Sequence, residues 1–172
     1  MEDRDNQLET GKIGWLAGMI EGDGFLSVTM AKDTKSRAKF QPRAVVGVCN
    51  QDMAIINEVD NLFRKIGVIA YIREYRTPKG KPIALISTGK ISNVKKIIDV
   101  IKEHLIGEKK ARAELVSKFV DSRLNRKYEA LNEEEIDIIR QMDEQFISRK
   151  GKETGFNRFL REHTLSPSLE LG

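Results

Sequence analysis

Nine residues near the start of the chain, Leu16-Ala17-Gly18-Met19-Ile20-Glu21-Gly22-Asp23-Gly24, constrain the fold more than any other stretch. With Ile13, Gly14 and Trp15 before them they read as one short helix. Ile13, Leu16 and Ile20 fall at i, i+3 and i+7, an apolar stripe suited to a core. Gly14, Ala17, Gly18 and Glu21 form a second stripe, small except for the acid. A helical glycine costs roughly 1 kcal/mol against alanine, so two on one face imply that another backbone comes very close. The helix then runs into Gly22-Asp23-Gly24, which puts a carboxylate where backbone dipoles already carry partial negative charge. An acid in that place calls for a cation beside it. Asp-Gly is also a common turn signal leading into a hairpin, and the dipeptide alone leaves both readings open.

The chain beyond this helix alternates in type. Residues 25–30 and 44–49 are strand candidates, separated by a polar, basic arm or loop over 31–43. Asn50 and Asp52 are both good N-cap types for a helix that presents Ile55, Val59, Leu62 and Ile66, with Ile56 and Phe63 beside them, and ends at Gly67. Strands follow at 68–75 and 83–87 around a turn punctuated by Pro78, Gly80 and Pro82. Ser92 or Asn93 can cap a helix carrying Val94, Ile97, Ile98, Ile101 and Leu105. Gly107 breaks it, and a helix over 109–124 follows with Leu115, Phe119 and Leu124 near one face. Asn132 caps another over 133–148, with Ile136, Ile139, Met142 and Phe146 inward, and a short helix is expected around 156–161. The order is α-β-β-α-β-β-α-α with helical additions.

Charge and composition narrow the function. Between Phe25 and Leu85 there are eleven basic residues against five acidic ones, an excess larger than the +4 of the whole chain. A basic segment in an otherwise slightly acidic chain points to a polyanion, although solvated loops produce charge runs too. No run approaches the ~18 apolar residues of a transmembrane helix, and the polar N-terminus is no targeting peptide. One cysteine, Cys49, and two histidines, His104 and His163, make no structural zinc site and fit a reducing, intracellular compartment, cytoplasm or organelle matrix.

The nine residues resemble the signature of the LAGLIDADG homing endonucleases. Leu16, Ala17, Gly18, Ile20, Asp23 and Gly24 coincide with it. Met19, Glu21 and Gly22 depart from it, by methionine for leucine, a longer acid, and glycine where alanine is usual. The order of elements also resembles the family's. The resemblance implies an α+β fold in which a four-stranded antiparallel saddle sheet, backed by helices, lies along the DNA major groove. It covers residues 10–125, leaving 1–9 as an N-terminal tail and 126–172 as a C-terminal helical extension. One motif implies the homodimeric type, paired through the helix over 13–22 by Gly14, Ala17, Gly18 and Glu21, since a C2 interface uses one patch twice.

The resemblance further implies chemistry. Two copies of Asp23 side by side repel unless divalent cations lie between them, and hard cations such as Mg²⁺ or Mn²⁺ take oxygen ligands and phosphates. Ca²⁺ is expected to support binding without cleavage. Asp23 is the expected metal ligand and the Gly22 carbonyl a second one. Gln51 resembles the family's water-ordering polar residue, and is equally readable as a solvated helix N-terminal residue. Lys109 resembles the basic residue near the cleaved phosphate; Lys110 fits as well, and either reads as a solvated lysine. DNA contacts are expected from Ser27, Thr29, Lys32, Lys35, Arg37, Lys39, Gln41, Arg43, Arg73, Tyr75, Arg76, Lys79 and Lys81, with arginine and glutamine suited to base edges and lysines to phosphates. The expected activity is a metal-dependent, staggered double-strand cut in a long pseudo-palindromic DNA site that promotes intron mobility, with neither a small-molecule substrate nor a membrane partner. An RNA-binding intron maturase or a non-cleaving DNA-binding regulator of the same fold are the alternatives.

Overall fold

The structure is a computed structural model that describes residues 9–33, 40–126, 129–147 and 154–164. Its elements are α1 (Thr10–Asp23), β1 (Gly24–Lys32), β2 (Phe40–Asn50), α2 (Met53–Lys65), β3 (Tyr71–Arg76), β4 (Pro82–Thr88), α3 (Ile91–Ile101), α4 (Gly107–Asn125), α5 (Glu133–Met142) and α6 (Gly155–Thr164). A 3-10 turn, Lys102–His104, follows α3, and a π-helical turn, Asp143–Ile147, continues α5. The expected order is present, with α5 and α6 added behind it. The strands make one sheet in the order β1-β2-β4-β3, with β4 antiparallel to both β2 and β3. Contacts divide the chain into two units, Met1–Ser27 with Ala44–Tyr128, and Val28–Arg43 with Glu129–Gly172.

In the first unit, alternate strand residues face the helices. Leu26, Val46, Val48, Ala84 and Ile86 are buried, together with Leu16, Ala17 and Ile20 of α1 and Ile56, Val59, Leu62 and Phe63 of α2. Val94, Ile97, Ile98 and Ile101 of α3 and Ala113, Val116, Phe119 and Val120 of α4 complete this core. Removing water from a side chain of this size stabilises by roughly 1.5–3 kcal/mol each. α1 packs against α2 and α3 and so is held at its base by the core.

Several local expectations shift. Ile55 and Ile66 are only half-buried on α2, while Ile56 and Phe63 are buried. β3 begins at Tyr71 rather than 68, because Gly67 (φ +70) turns the chain and the Val68 amide donates to Phe63 O at 2.9 Å, closing α2 instead of joining the ladder. Neither Ser92 nor Asn93 caps α3; Lys90 is the flanking residue, and the Asn93 side chain points inward, donating to Ile69 O (3.1 Å) and Thr88 Oγ1 (3.3 Å). Leu115 and Leu124 are half-buried, since Val116 and Val120 take the inner face of α4 with Phe119. The strands β1 and β2 extend into the arm, to Lys32 and from Phe40.

In the second unit, Met30 and Phe40 are buried, as are Ile138, Ile139 and Met142 of α5 and Phe156 of α6. The Phe159 ring meets Phe40 edge-on at 5.8 Å. α5 starts in a capping box between Asn132 and Glu135. It turns Ile138 inward where Ile136 was expected; the Phe146 side chain lies outside the described residues.

Asp143 is 6% exposed and accepts the Thr154 hydroxyl at 2.8 Å. Burial holds its carboxyl above the ordinary aspartate value, against the opposing effect of that hydrogen bond. The folded protein therefore binds this proton more tightly than the unfolded chain does. The stability it contributes is present below the ordinary value of about 3.8 and is lost as pH rises through the raised folded value. Asp143→Asn, which keeps an acceptor for Thr154, is expected to raise the thermal midpoint at pH 7, with the gain shrinking as pH falls toward 4. Thermal unfolding at the two pH values checks this, and a variant less stable at pH 7 contradicts it.

Candidate active site and nucleic-acid face

α1 passes into β1 with no connecting loop. Gly24 caps the helix with its amide on Ile20 O, at φ −94° and ψ 170°, so the Gly-Asp-Gly run is not a left-handed turn. The glycine is needed for space: a Cβ at Gly24 would lie 2.5 Å from Ile20 Cα and 2.7 Å from Ile20 O. Asp23 is thereby fixed at the last position of the helix, exposed to solvent. The exposed residues of α1 before it are Thr10, Gly11, Gly14, Trp15, Gly18 and Gly22, and a Cβ on any of those four glycines meets nothing within 4 Å. Ala17 is not part of this open face; it is 1% exposed and belongs to the chain's own core. Glu21 is engaged inside the chain as well, its Oε1 accepting from the Ile106 amide at 2.7 Å just ahead of α4. Glycine thus dominates the open face, beside Trp15, where a stripe of Gly14, Ala17, Gly18 and Glu21 was expected.

Two side chains reach the turn, Asn50 and Lys109. Asn50, at the end of β2, donates from Nδ2 to Asp23 Oδ2 at 2.7 Å, and its Oδ1 accepts the Asp52 amide at 2.7 Å. Asp52 in turn caps α2 through the Ala54 amide at 2.8 Å. Lys109, half-buried on the first turn of α4, donates from Nζ to the carbonyl of Gly24. Burial pushes its pKa down, Arg112 pushes it further, and Glu21 and Glu108 pull the other way. Lys110 instead approaches Glu103 at the surface, at 4.0 Å. Of the two lysines, Lys109 is the one placed at the Asp23 turn. Gln51 is exposed and borders a cavity of about 230 Å³ with Met53, Glu74 and Tyr75. Asn50 is the residue that sequence reasoning missed. Its type fits a helix cap, and its partner lies 27 positions away, so local signals carry no trace of the pairing.

The donor set is that of a hard cation. The Asp23 carboxylate and the Gly22 carbonyl offer oxygen donors, of the kind Mg²⁺, Mn²⁺ and Ca²⁺ take. Among the described residues no group of three His, Cys, Asp or Glu is assembled.

The strand face opposite the helices carries the expected contact residues unevenly. Ser27 and Thr29 lie half-buried on β1, and Gln41 and Arg43 are exposed on β2. Arg73 and Tyr75 are exposed on β3, opposite Leu85 and Ile83 of β4, and the Tyr75 hydroxyl lies 3.2 Å from Cys49 Sγ. That contact, first, and burial raise the tyrosine pKa. At Gly47 a Cβ would lie 2.6 Å from both the Phe25 ring and the Ile86 carbonyl oxygen, so the position has room for glycine alone. Arg76 has the opposite parity to Arg73 and Tyr75, and donates to Gly80 O at 3.0 Å, bracing the turn. Lys32, Lys79 and Lys81 are exposed at strand ends and the turn. Lys35, Arg37 and Lys39 lie outside the described residues.

Residues 16–120 match the family model of the LAGLIDADG endonuclease. The chain belongs to the LAGLIDADG endonuclease family. Its fold is shared with solved structures at low identity. The homing endonuclease I-CvuI, in complex with the I-CreI target in the presence of Mg, superposes with a TM-score of 0.67 at 16% identity, over 88% of this chain and 93% of that one. An archaeal intron-encoded homing endonuclease complexed with DNA gives 0.69 at 14%, over 92% and 100%. Meganuclease I-SmaMI bound to uncleaveable DNA gives 0.60 at 21%, over 81% of this chain but 45% of that one. No curated protein sequence matches the chain. In LAGLIDADG terms, Asp23 and Gly24 close the motif helix, and no described helix is long and apolar enough to cross a membrane.

Proposed function

We propose that this LAGLIDADG chain is a homing endonuclease that acts inside the cell as a homodimer, making a staggered double-strand cut in a long pseudo-palindromic DNA site and so promoting intron mobility. The carrying observation is the exposed Asp23 carboxylate at the end of α1, bonded by Asn50 and flanked by half-buried Lys109. The glycine face above it, open in the single chain, suits a second copy of α1, and the match to less than half of I-SmaMI suits a chain that supplies one half of a two-fold enzyme. Residues 10–125 would then form the endonuclease domain and 126–172 the helical extension.

Asp23 and the Gly22 carbonyl hold a divalent cation, Mg²⁺ or Mn²⁺ for cutting. When bound, that ion stabilises charge on the reacting phosphate and makes water a better nucleophile. Lys109, whose pKa is lowered, places a positive charge and an exchangeable proton next to the same phosphate. Gln51 orders water at the edge of the site. Thr29, Gln41, Arg43, Arg73 and Tyr75 read base edges, while Lys32, Lys79 and Lys81 hold phosphates. The test is incubation with Mg²⁺ and DNA spanning the uninterrupted insertion site of the host gene. Discrete double-strand products are expected; intact DNA with selective retention of a folded intron RNA would turn the reading to a maturase.

Salt gives a second test. Contacts to about 6–10 phosphates predict a log–log slope of DNA affinity against salt of roughly −5 to −9. Titration by filter binding between low and physiological salt measures it, and a flat line removes the basic strand face from the mechanism.

A further inference from the structure

We propose that Asn50 is a positioning residue for the divalent-ion site: it sets the orientation of the Asp23 carboxylate and, through the same loop, the place of Gln51. The inference rests on the reading of Asp23 as the metal ligand. Asn50 makes two hydrogen bonds of 2.7 Å, one with each end of its amide. The Asp52 amide can only donate, so the group facing it must be the Asn50 carbonyl. That fixes the amide so that its NH₂ faces Asp23 Oδ2; turned over, it would set an oxygen lone pair against a carboxylate. Asp52 is itself tied to the start of α2 by its bond from Ala54. The acid at the end of α1 is therefore referenced to the start of α2 through a relay of three side-chain bonds.

A neutral donor suits this task better than a charged one. Lysine or arginine would orient the carboxylate but cancel its charge and compete with a cation. An amide occupies one oxygen and leaves the charge in place, and Asp23 Oδ1 makes no hydrogen bond within the described residues. Lys109, the cation nearby, is spent on the carbonyl of Gly24. Groups that orient a metal ligand from behind affect metal affinity or activity by about 10–100-fold when removed. Gln51, between two anchored neighbours, has its backbone held while its side chain stays exposed.

The experiment measures Mn²⁺ binding by electron paramagnetic resonance, on full-length protein complexed with a duplex selected from a randomised pool by wild-type binding. Cleavage is not the readout. Asn50→Ala is expected to raise the Mn²⁺ midpoint roughly tenfold or more with DNA affinity nearly unchanged. Asn50→Ser keeps a short acceptor for the Asp52 amide, and so the loop, but lacks the NH₂; it is expected to show the same shift should the alanine variant fold poorly. Asp52→Ala removes only the outer link of the relay and leaves the Asn50–Asp23 bond, so its melting temperature falls and its Mn²⁺ midpoint shifts much less than in the Asn50 variants. A midpoint within twofold of wild type for both Asn50 variants, or an equal shift in Asp52→Ala, overturns the positioning role and leaves the nuclease reading intact. An Asp23→Asn arm that binds Mn²⁺ like wild type overturns the metal assignment itself.

Discussion

Asp23→Asn is expected to abolish cutting, by a factor of about 1,000 or more, while DNA affinity stays within roughly tenfold. The magnitude follows from what the side chain supplies. A bound cation contributes several kcal/mol of charge stabilisation to phosphate chemistry, and about 4 kcal/mol is a thousandfold in rate. Asparagine has the same shape, and its Oδ1 still accepts from Asn50, so the local arrangement of α1, β1 and β2 has no cause to change. The exposed position of Asp23 also means that no packing is lost. Because the carboxylate opposes the dipole of α1, the variant should melt slightly higher than the parent. Lower activity with higher stability is the signature of a residue held for chemistry. Single-turnover cleavage, gel-shift titration and thermal unfolding measure the three quantities together. A variant that cuts at the parental rate sinks the assignment.

The second large effect is expected at Gly18, where leucine should break the proposed dimer without harming the fold. In the isolated chain a Cβ at Gly18 has nothing within 4 Å, and leucine is favoured over glycine in a helix by nearly 1 kcal/mol. Unfolding measured at high dilution should therefore be unchanged or slightly improved. In a two-fold pair the same side chain enters twice. Overpacking of a close contact costs typically 1–3 kcal/mol per site, so the dimer is weakened by roughly 30-fold to 10⁴-fold. Cleavage should fall with it, since each copy brings only one Asp23. Sedimentation velocity over a range of concentrations reads the change. A tight dimer in Gly18→Leu would mean that the copies meet elsewhere, and the glycine face would need another explanation.

The parts of this fold that sequence reveals are those set by neighbours in the chain. Pattern located the α-helices and strands of the described residues, Asp52 and Asn132 capped the helices their types suggest, and Gly67 ended α2 with a positive φ. Failures came where distant partners decide. Asn93 looks like a cap but is drawn inward by Thr88 and the Ile69 carbonyl. Ala17 looks like a member of the small stripe but is sealed into the core by α2 and α3, while Glu21 is taken by the Ile106 amide. At the candidate site, the position of Asp23 at the helix end was legible from the motif, while its role was an expectation from the family resemblance. The choice of Lys109 over Lys110 was not legible, because adjacent residues on a helix differ by 100° in direction and only the packed position of α4 selects one. Asn50 was invisible for the same reason that makes it informative: its partner is on another element.

The absence of any connector between α1 and β1 has a consequence for how such a protein can change its target. Asp23 and the start of the first strand follow one another directly, with Gly24 pressed against Ile20 at the joint. In the proposed endonuclease, Asp23 and the nearest strand residues such as Ser27 would then keep a fixed offset between recognised bases and severed bond. Side chains can be exchanged to suit new sequences without moving the incision. Adding one residue at the joint would invert every side chain of β1, and both faculties would be lost in a single step.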